Sequence, residues 1–322
     1  MIEVEHLSKV YGTASAIADV TFSVEPGEIL GFLGPNGAGK TTTMRILSGY
    51  LPATTGTAKV AGYEVHQDSR AVRSRIGYLP ETPPLYPDMT VEGFLHFVAR
   101  IKGVNAGDRA AKVKVALAKT SLMERRTSLI RKLSKGYRQR VGIAQAIVHD
   151  PPVIILDEPT VGLDPRQIIE VRNLIKNLAG SHTVILSTHI LPEVSMTCNR
   201  VAIIHQGRVV ATNTPEQLMA QRVGGSGYEL EVEGSLEEAQ RVLQSVAGVQ
   251  DVKPVNTELP EGFCRVRVIG TDGALMGRSL AGAIVGSGLG LLEMRRMQAS
   301  LEDVFLQLTM EDITPDEADG ET

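Results

Sequence analysis

The sequence predicts an α/β fold built around a parallel sheet, followed by a smaller α+β domain. Over the first two thirds, short apolar strands alternate with helical segments, and polar residues stand where several strands end. From Tyr228 to Met294 the predicted order is strand, helix, strand, strand, helix, strand. This βαββαβ order is that of a ferredoxin-like domain. The 322 residues suffice for one large and one small domain.

The domain boundary is predicted at a flexible segment, Gly224-Gly225-Ser226-Gly227. The first domain then covers 1–222, with a helical subdomain at about 88–149, where apolar residues recur at helical spacing. The accessory βαββαβ domain covers 223–310. An acidic tail follows at 311–322, and its composition predicts a solvated, disordered segment.

Composition and charge exclude several classes of protein. The net charge of −4 argues against a protein that binds nucleic acid by general electrostatics. The first residues have neither a basic start nor an apolar core, so they are not read as a signal peptide. The longest uncharged apolar run, 280–292, is shorter than the ~20 residues of a membrane span. Cys198 and Cys264 are in no metal or redox spacing, which favours a reducing compartment.

The strongest local signal is a glycine-rich loop between a short apolar strand (28–33) and a helix. Its spacing, a glycine, four free residues and then Gly-Lys-Thr, is that of a phosphate-binding loop. Backbone N–H groups and the helix N-terminus would face phosphate oxygens, Lys40 would reach the β- and γ-phosphates, and the Thr41 hydroxyl would hold Mg²⁺. A glycine-rich turn before an ordinary helix is the alternative. The predicted nucleotide-binding residues here, for ATP or GTP, are Gly34, Pro35, Asn36, Gly37, Ala38, Gly39, Lys40, Thr41 and Thr42.

Two later strands end in residues suited to nucleotide chemistry. The run 153–156 is wholly apolar, as in a strand buried on both faces, and is followed by Asp157 and Glu158. Asp157 is predicted to anchor Mg²⁺ and Glu158 to polarise an attacking water. The next apolar strand, 183–188, ends at His189, which would lie at the same sheet edge. Solvated acids at a strand end and a structural histidine are the alternatives.

Two further positions have a functional and a plain structural interpretation. Ser134 starts a helix, and its hydroxyl can either cap that helix or, with Gly136, present an anion-binding N-terminus. Tyr11 follows the first strand and can either close a hairpin or stack on an adenine ring.

Taken together and in this order, these motifs resemble the ATP-binding subunits of ABC transporters. The resemblance covers about the first two thirds of the chain. It implies a P-loop NTPase fold, the ABC ATPase domain, in which residues 34–42 are the Walker A motif and Asp157 is the Walker B aspartate. It implies that Glu158 is the catalytic carboxylate, that His189 is the switch histidine, and that 162–164 form the D-loop. The adenine-stacking role of Tyr11 is also implied by this resemblance.

The sequence departs from the family pattern twice. The signature motif is usually Leu-Ser-Gly-Gly-Gln, whereas here Lys135 stands between Ser134 and Gly136, the two members expected to touch the γ-phosphate. At the position where the family has the glutamine of the Q-loop, this chain has Glu81. A carboxylate could bind Mg²⁺ directly, but it cannot donate a hydrogen bond as an amide does. Glu81 is therefore predicted to be a metal ligand together with Thr41 and Asp157, a plain surface glutamate being the alternative.

The resemblance also implies a partner and a location. The chain is expected to dimerise head to tail, as a homodimer or as a heterodimer with a second cassette, and to hydrolyse ATP with Mg²⁺. Lys135 and its neighbours would act on the nucleotide held by the other chain. The dimer would power a separate integral-membrane permease from the cytoplasmic face of the membrane, with no nucleic acid involved. The C-terminal domain and the 301–306 segment are similar to single-cassette export subunits, and 77–81 is most similar to the gliding-motility type.

Two alternatives stay open at this stage. A soluble ABC-type ATPase acting on ribosomes or DNA is disfavoured by the single cassette, the lack of a heptad run and the negative net charge. The C-terminal domain could bind a small regulator, an idea that depends on fold analogy.

Overall fold

The computed structural model describes residues 1–222, 227–255, 259–260, 262–270, 273–297 and 301–310. The chain divides into two compact units, Met1–Pro215 and Glu216–Thr322. Most of the predicted flexible segment (224–226) and the acidic tail (311–322) lie outside the described residues. Gly227, predicted as the end of that segment, instead opens a strand. No helix among the described residues is long and apolar enough to cross a membrane.

The first unit contains ten strands in two sheets. In chain order they are β1 (Ile2–Tyr11), β2 (Ala14–Val24), β3 (Ile29–Leu33), β4 (Thr55–Val60), β5 (Tyr63–Glu64), β6 (Ile76–Leu79), β7 (Val153–Asp157), β8 (Thr183–Thr188), β9 (Arg200–His205) and β10 (Arg208–Asn213). One sheet has the order β2-β1-β4-β5 and is antiparallel. The other has the order β10-β9-β3-β8-β7-β6 and is parallel except for the β9–β10 hairpin.

The helices of the first unit connect these strands and form a helical subdomain. They are α1 (Lys40–Leu47), α2 (Ser69–Arg75), α3 (Val91–Ile101), α4 (Arg109–Lys119), α5 (Lys135–Ile147), α6 (Pro165–Lys176) and α7 (Leu191–Thr197). Short 3₁₀ turns at Met123–Arg125 and Ile130–Lys132 lie between α4 and α5. The α3–α5 region was predicted to be helical, whereas α2, α7 and the separate antiparallel sheet were not predicted from the sequence.

The parallel sheet separates two apolar cores, which explains its uninterrupted apolar strands. Along β7, Ile154 and Leu156 pack in the core formed with helices α3 to α6, whereas Val153 and Ile155 pack in the core formed with the antiparallel sheet and α1. Successive side chains of a strand point to opposite faces, so a strand covered on both sides must be apolar at every position. The polar residues of these strands are therefore restricted to the strand ends.

The helical subdomain is fixed to the sheet by close backbone contacts. Gly77 of β6 lies against the carbonyl of Ala146 in α5, where a Cβ on residue 77 would overlap the carbonyl oxygen. The Gln145 side chain donates a 2.7 Å hydrogen bond to the carbonyl of Tyr78. The start of α5 is capped as predicted, because the Ser134 hydroxyl accepts a hydrogen bond from the N–H of Tyr137 at 3.4 Å. These contacts therefore fix the orientation of α5 relative to β6.

The second unit has the predicted βαββαβ order. It contains β11 (Gly227–Glu233), α9 (Leu236–Gln244), β12 (Val249–Pro254), β13 (Phe263–Gly270), α10 (Gly273–Gly286) and β14 (Gly290–Met297), with α8 (Pro215–Arg222) before and α11 (Leu301–Met310) after them. The antiparallel sheet has the order β12-β13-β11-β14. Leu230, Val232, Val266 and Val268 form a core with residues of α9 and α10. The other face of the sheet carries charged residues that pair with one another.

Candidate functional site

The functional residues predicted from four separate stretches meet around one cavity of about 380 Å³ in the first unit. The loops that follow β3, β6, β7 and β8 all border it, because the carboxyl ends of parallel strands share one edge of the sheet. Its lining residues are Ala16, Asn36, Gly37, Gly39, Lys40, Thr41, Thr42, Glu81, Glu158, Val161 and His189.

The glycine-rich loop forms one wall of this cavity and leads into α1. Gly39 has φ 105°, a left-handed conformation that a residue with a side chain rarely adopts. A Cβ on Gly34 would overlap the carbonyl oxygen of Ile204. The N-cap residue of α1 is Gly39, which has no side chain to cap the helix, so the N–H groups of the first turn are left for other acceptors. The loop therefore has the local geometry that phosphate binding requires.

Lys40 is buried at the start of α1 and is held by three oxygens. Its Nζ donates to the carbonyl of Gly34 at 2.8 Å and to the carbonyl of Pro35 at 3.1 Å. It also forms an ion pair with the Glu158 carboxylate, Nζ to Oε1, at 3.3 Å. Both side chains are about 6–7% exposed, so this ion pair is little screened by solvent.

Glu158 links the phosphate loop to the histidine at the end of β8. Its second carboxylate oxygen, Oε2, lies 2.9 Å from Nδ1 of His189. Its backbone is in the left-handed region, with φ 49°, and its N–H donates to the carbonyl of Ser187 at 3.0 Å. A left-handed conformation at a residue other than glycine typically costs about 1–3 kcal/mol and is concentrated at functional sites. Lys40, Glu158 and His189 thus form one continuous polar network.

Asp157 lies behind this network and is fully buried. Its Oδ1 accepts hydrogen bonds from the Ser187 hydroxyl at 2.8 Å and the Thr41 hydroxyl at 3.4 Å. Its Oδ2 has no hydrogen-bond partner in the described part of the chain. Burial raises the pKa of this carboxyl, the hydrogen bonds from Ser187 and Thr41 lower it, and the nearby charges of Glu158 and Glu81 raise it further.

The residues around Asp157 suit a hard divalent cation. A buried carboxylate oxygen without a partner and an adjacent hydroxyl are both oxygen ligands of the kind that Mg²⁺ prefers. Among the described residues, no group of three or more His, Cys, Asp or Glu side chains could hold a metal ion. The remaining ligands would then come from water and phosphate, as is usual for Mg²⁺ at nucleotide sites.

Glu81 and Tyr11 differ in where the structure places them. Glu81 is exposed and lines the cavity. Tyr11 is 48% exposed and is not among the lining residues. It ends β1, pairs with Ala14 across the hairpin, and has Lys9 Nζ 5.2 Å from its ring centroid. Ala16 of β2, which the sequence analysis did not select, borders the cavity instead.

The signature residues lie away from the cavity of their own chain. Ser134 and Lys135 are exposed at the start of α5, and Gly136 packs against the side chain of Gln167. The ammonium of Lys135 lies against Gly162 of the predicted D-loop. None of the three lines the cavity that holds Lys40 and Glu158. The first turn of α5 contains no acidic side chain that would neutralise its N-terminus.

Ser187 is the main residue of the candidate site that was not predicted from the sequence. It orients Asp157 by hydrogen bonding to Oδ1 and lies two residues before His189. The available signal was a hydroxyl residue directly after the apolar residues 184–186, because a hydroxyl in a strand buried on both faces needs a hydrogen-bond partner.

The chain is similar in sequence and in structure to known proteins. The ABC transporter family profile matches residues 17–161. The chain is 32% identical over 310 residues to the linearmycin resistance ATP-binding protein LnrL of Bacillus subtilis, covering 96% of this chain and 98% of that protein. It is 38% identical over 231 residues to the Nod factor export ATP-binding protein I of Paraburkholderia xenovorans, covering 71% and 76%. A solved ATP-binding subunit of an ABC transporter superposes with a TM-score of 0.63 at 33% identity, covering 69% of this chain and 92% of that one.

Proposed function

The chain belongs to the family of ABC transporter ATP-binding subunits, and on this basis we propose that it powers an exporter through the site formed by Lys40, Asp157, Glu158 and His189. The resemblance predicted from the motifs is confirmed, and so are the P-loop α/β fold and the assignment as an ATP-binding ATPase. The observation that supports the proposed site is the convergence of the phosphate loop, Glu158 and His189 on one cavity.

Nucleotide binding is proposed to begin with an exchange of partners at Lys40. Its ammonium is paired with Glu158 at 3.3 Å, and a terminal phosphate would compete for the same charge. Moving Lys40 to phosphate would free Oε1 of Glu158. Gly37, Gly39 and the first turn of α1 would supply N–H groups to the phosphates.

Hydrolysis is then proposed to use the freed carboxylate. Glu158 would accept a hydrogen bond from the attacking water and polarise it. His189 lies 2.9 Å from Glu158 and would hold both this carboxylate and the γ-phosphate in position. The strained backbone of Glu158 fixes the direction of its side chain before substrate arrives.

Mg²⁺ is proposed to be held by Thr41, Asp157 and Glu81. When bound, it would neutralise phosphate charge and thereby ease the departure of ADP. The protein's contribution is the fixed geometry of Asp157, which Ser187 holds through Oδ1 while Oδ2 stays available.

A second cassette is proposed to complete the site. Ser134 and Lys135 are exposed, and neither they nor Gly136 line the cavity of their own chain, so the three can act on a nucleotide only when another chain supplies it. A head-to-tail dimer, with itself or with a second cassette, would place them against the γ-phosphate in trans. Tyr11 is proposed as the adenine-stacking residue, and its side chain is 48% exposed.

The membrane partner is proposed to sense the nucleotide through the segment that carries Glu81. This segment continues from β6, and β6 also lines a second cavity of about 370 Å³. Tyr50 at its border is 77% exposed, as expected of a residue that meets another chain. Since the relatives are named for resistance and export, the chain is proposed to act peripherally at the cytoplasmic face of a membrane, with an export permease.

The proposal is tested by purifying tagged Glu158→Gln protein from native membranes in Mg-ATP and identifying what co-purifies. We expect a multi-spanning membrane protein, because a hydrolysis-deficient subunit stays in its ATP-bound, closed form. Recovery with ribosomes or DNA in the soluble fraction would instead favour the soluble ABC-type ATPase. The matched control is Glu231→Gln, which changes a glutamate of the second unit that pairs with Arg265.

A further inference from the structure

The charges around the cavity do not balance. Lys40 and Glu158 neutralise each other in a buried ion pair. Two further carboxylates belong to the site, Asp157 beneath Thr41 and Glu81 in the lining. Lys40 is the only lysine or arginine among the lining residues. With His189 counted as neutral, the residues of the site therefore have an excess of two negative charges before any nucleotide enters.

A negatively charged site is an unusual receptor for a polyphosphate. The phosphates of ATP carry several negative charges at neutral pH, and like charges brought together in a partly enclosed cavity repel one another. Glu81 is exposed and has no hydrogen bond or ion pair in the described structure that would compensate its charge. The amide present in most of the family at this position would add no charge.

We infer that Glu81 makes the site discriminate between metal-bound and metal-free nucleotide. This inference depends on the proposed nucleotide site and concerns its selectivity. Glu81 and Asp157 would help to hold a divalent cation, and the charge of the cation would offset the repulsion between these carboxylates and the phosphates. Without the cation, Glu81 opposes the phosphates. The glutamate therefore raises the advantage of Mg-nucleotide over free nucleotide beyond what the amide would give.

The sign of the effect is opposite for the two forms of the ligand. Replacing Glu81 by glutamine removes a repulsion toward metal-free nucleotide, so that form should bind more tightly. The same change removes a ligand or a favourable charge from the metal-bound form, which should bind equally or more weakly. Because Glu81 is solvent-exposed, the ratio of the two dissociation constants should change by about five- to tenfold.

The test measures binding of a non-hydrolysable ATP analogue to the full chain by calorimetry, once in EDTA and once in excess Mg²⁺. We expect the ratio of the EDTA to the Mg²⁺ dissociation constant to fall about five- to tenfold in Glu81→Gln, mainly through tighter binding in EDTA. Glu81→Asp, which keeps the charge, should retain most of the wild-type ratio. An unchanged ratio in Glu81→Gln would overturn the inference.

Asp88→Asn provides the matched control. Asp88 is an acid seven residues further along, is exposed, pairs with Arg131 at 2.9 Å, and does not line the cavity. Its variant should have the wild-type ratio, and an equal fall there would show a general charge effect and overturn the specific role of Glu81. Failure of the wild-type chain to bind the analogue in either buffer would contradict the proposed nucleotide site itself. That outcome is distinguishable from an unchanged ratio.

Discussion

The two units of this chain use charged side chains in opposite ways. In the first unit, Lys40, Asp157 and Glu158 are each buried; Lys40 and Glu158 line one cavity, and Asp157 lies behind them, next to Thr41. In the second, Arg265 pairs with Glu229 and Glu231 on the face of the sheet opposite α9 and α10, where these side chains are 19–25% exposed. Parallel strands end at a common edge and bring their loops together, whereas an antiparallel sheet covered on one side spreads its polar residues over the other. Sheet topology thus decides whether charges form a site or a solvated surface.

The largest expected effect is on ATP hydrolysis, and it distinguishes the charged residues of the cavity from those on the sheet of the second unit. Glu158→Gln should lower steady-state ATP hydrolysis by about 10²–10⁴-fold, because it removes the base that activates water. Nucleotide binding should be retained, since glutamine has nearly the same shape. Phosphate release measures the effect. Glu231→Gln in the second unit should hydrolyse ATP at the wild-type rate, and unchanged turnover in Glu158→Gln would remove Glu158 from the proposed role.

The next effect concerns packing rather than charge. Gly77→Ala should destabilise the first unit by about 1–3 kcal/mol, because the new methyl group would overlap the carbonyl of Ala146. In the second unit, Gly282 lies in α10, and no atom of the described residues would lie within 4 Å of a Cβ there, so Gly282→Ala should stabilise by about 0.5–1 kcal/mol. Urea unfolding measures both changes. Equal stability of Gly77→Ala and wild type would mean that α5 is not held against β6 in this way.

A pH-dependent effect on stability is expected from His149, a half-buried histidine of the first unit. Burial, with a smaller effect of Lys102, lowers the pKa of His149 to about 4, so the folded chain keeps this ring neutral. The unfolded chain protonates it below its ordinary value of about 6.5. The stabilising contribution is therefore complete above pH ~6.5 and is lost as the pH falls toward ~4.

Between pH 7 and pH 5, this group should reduce the free energy of unfolding by about 1–2 kcal/mol. His149→Gln should show a correspondingly flatter dependence, because glutamine does not titrate. Urea unfolding at several pH values gives the comparison, and the difference from wild type isolates His149 from the carboxylates that also titrate. Parallel pH profiles of the two proteins would contradict the assignment.

The smallest expected effect belongs to the charged face of the second unit. Arg265→Gln should lower the melting temperature slightly at low salt, because it removes ion pairs with Glu229 and Glu231 that remain in contact with solvent. The difference should vanish near 1 M salt, where the screening length is about 3 Å. Thermal unfolding at two salt concentrations measures it. Arg295→Gln, which affects a more exposed pair with Glu293, is the control and should change less.

Several features of the site were predictable because they depend on residues close together in the chain. The loop that leads to Lys40 has the spacing typical of a phosphate-binding turn, and Asp157 and Glu158 follow four apolar strand residues. Gly77, by contrast, gave no sequence signal, since its close contact is with Ala146 in a helix nearly seventy residues later. The sequence also did not indicate whether Tyr11 or Ala16 borders the cavity, because this depends on how β1 pairs with β2.

The sequence by itself determined the fold class, the ATP-binding family and the residues proposed for phosphate, metal and water, because local spacing and apolar runs encode strands, loops and helix starts. The tertiary structure alone decided which strands belong to which sheet, that Ser187 orients Asp157, and that Lys40 pairs with Glu158. It also separated the signature residues from the cavity of their own chain. The physical reason is that side-chain contacts across a sheet depend on strand order and register, and neither is specified by any single segment of the chain.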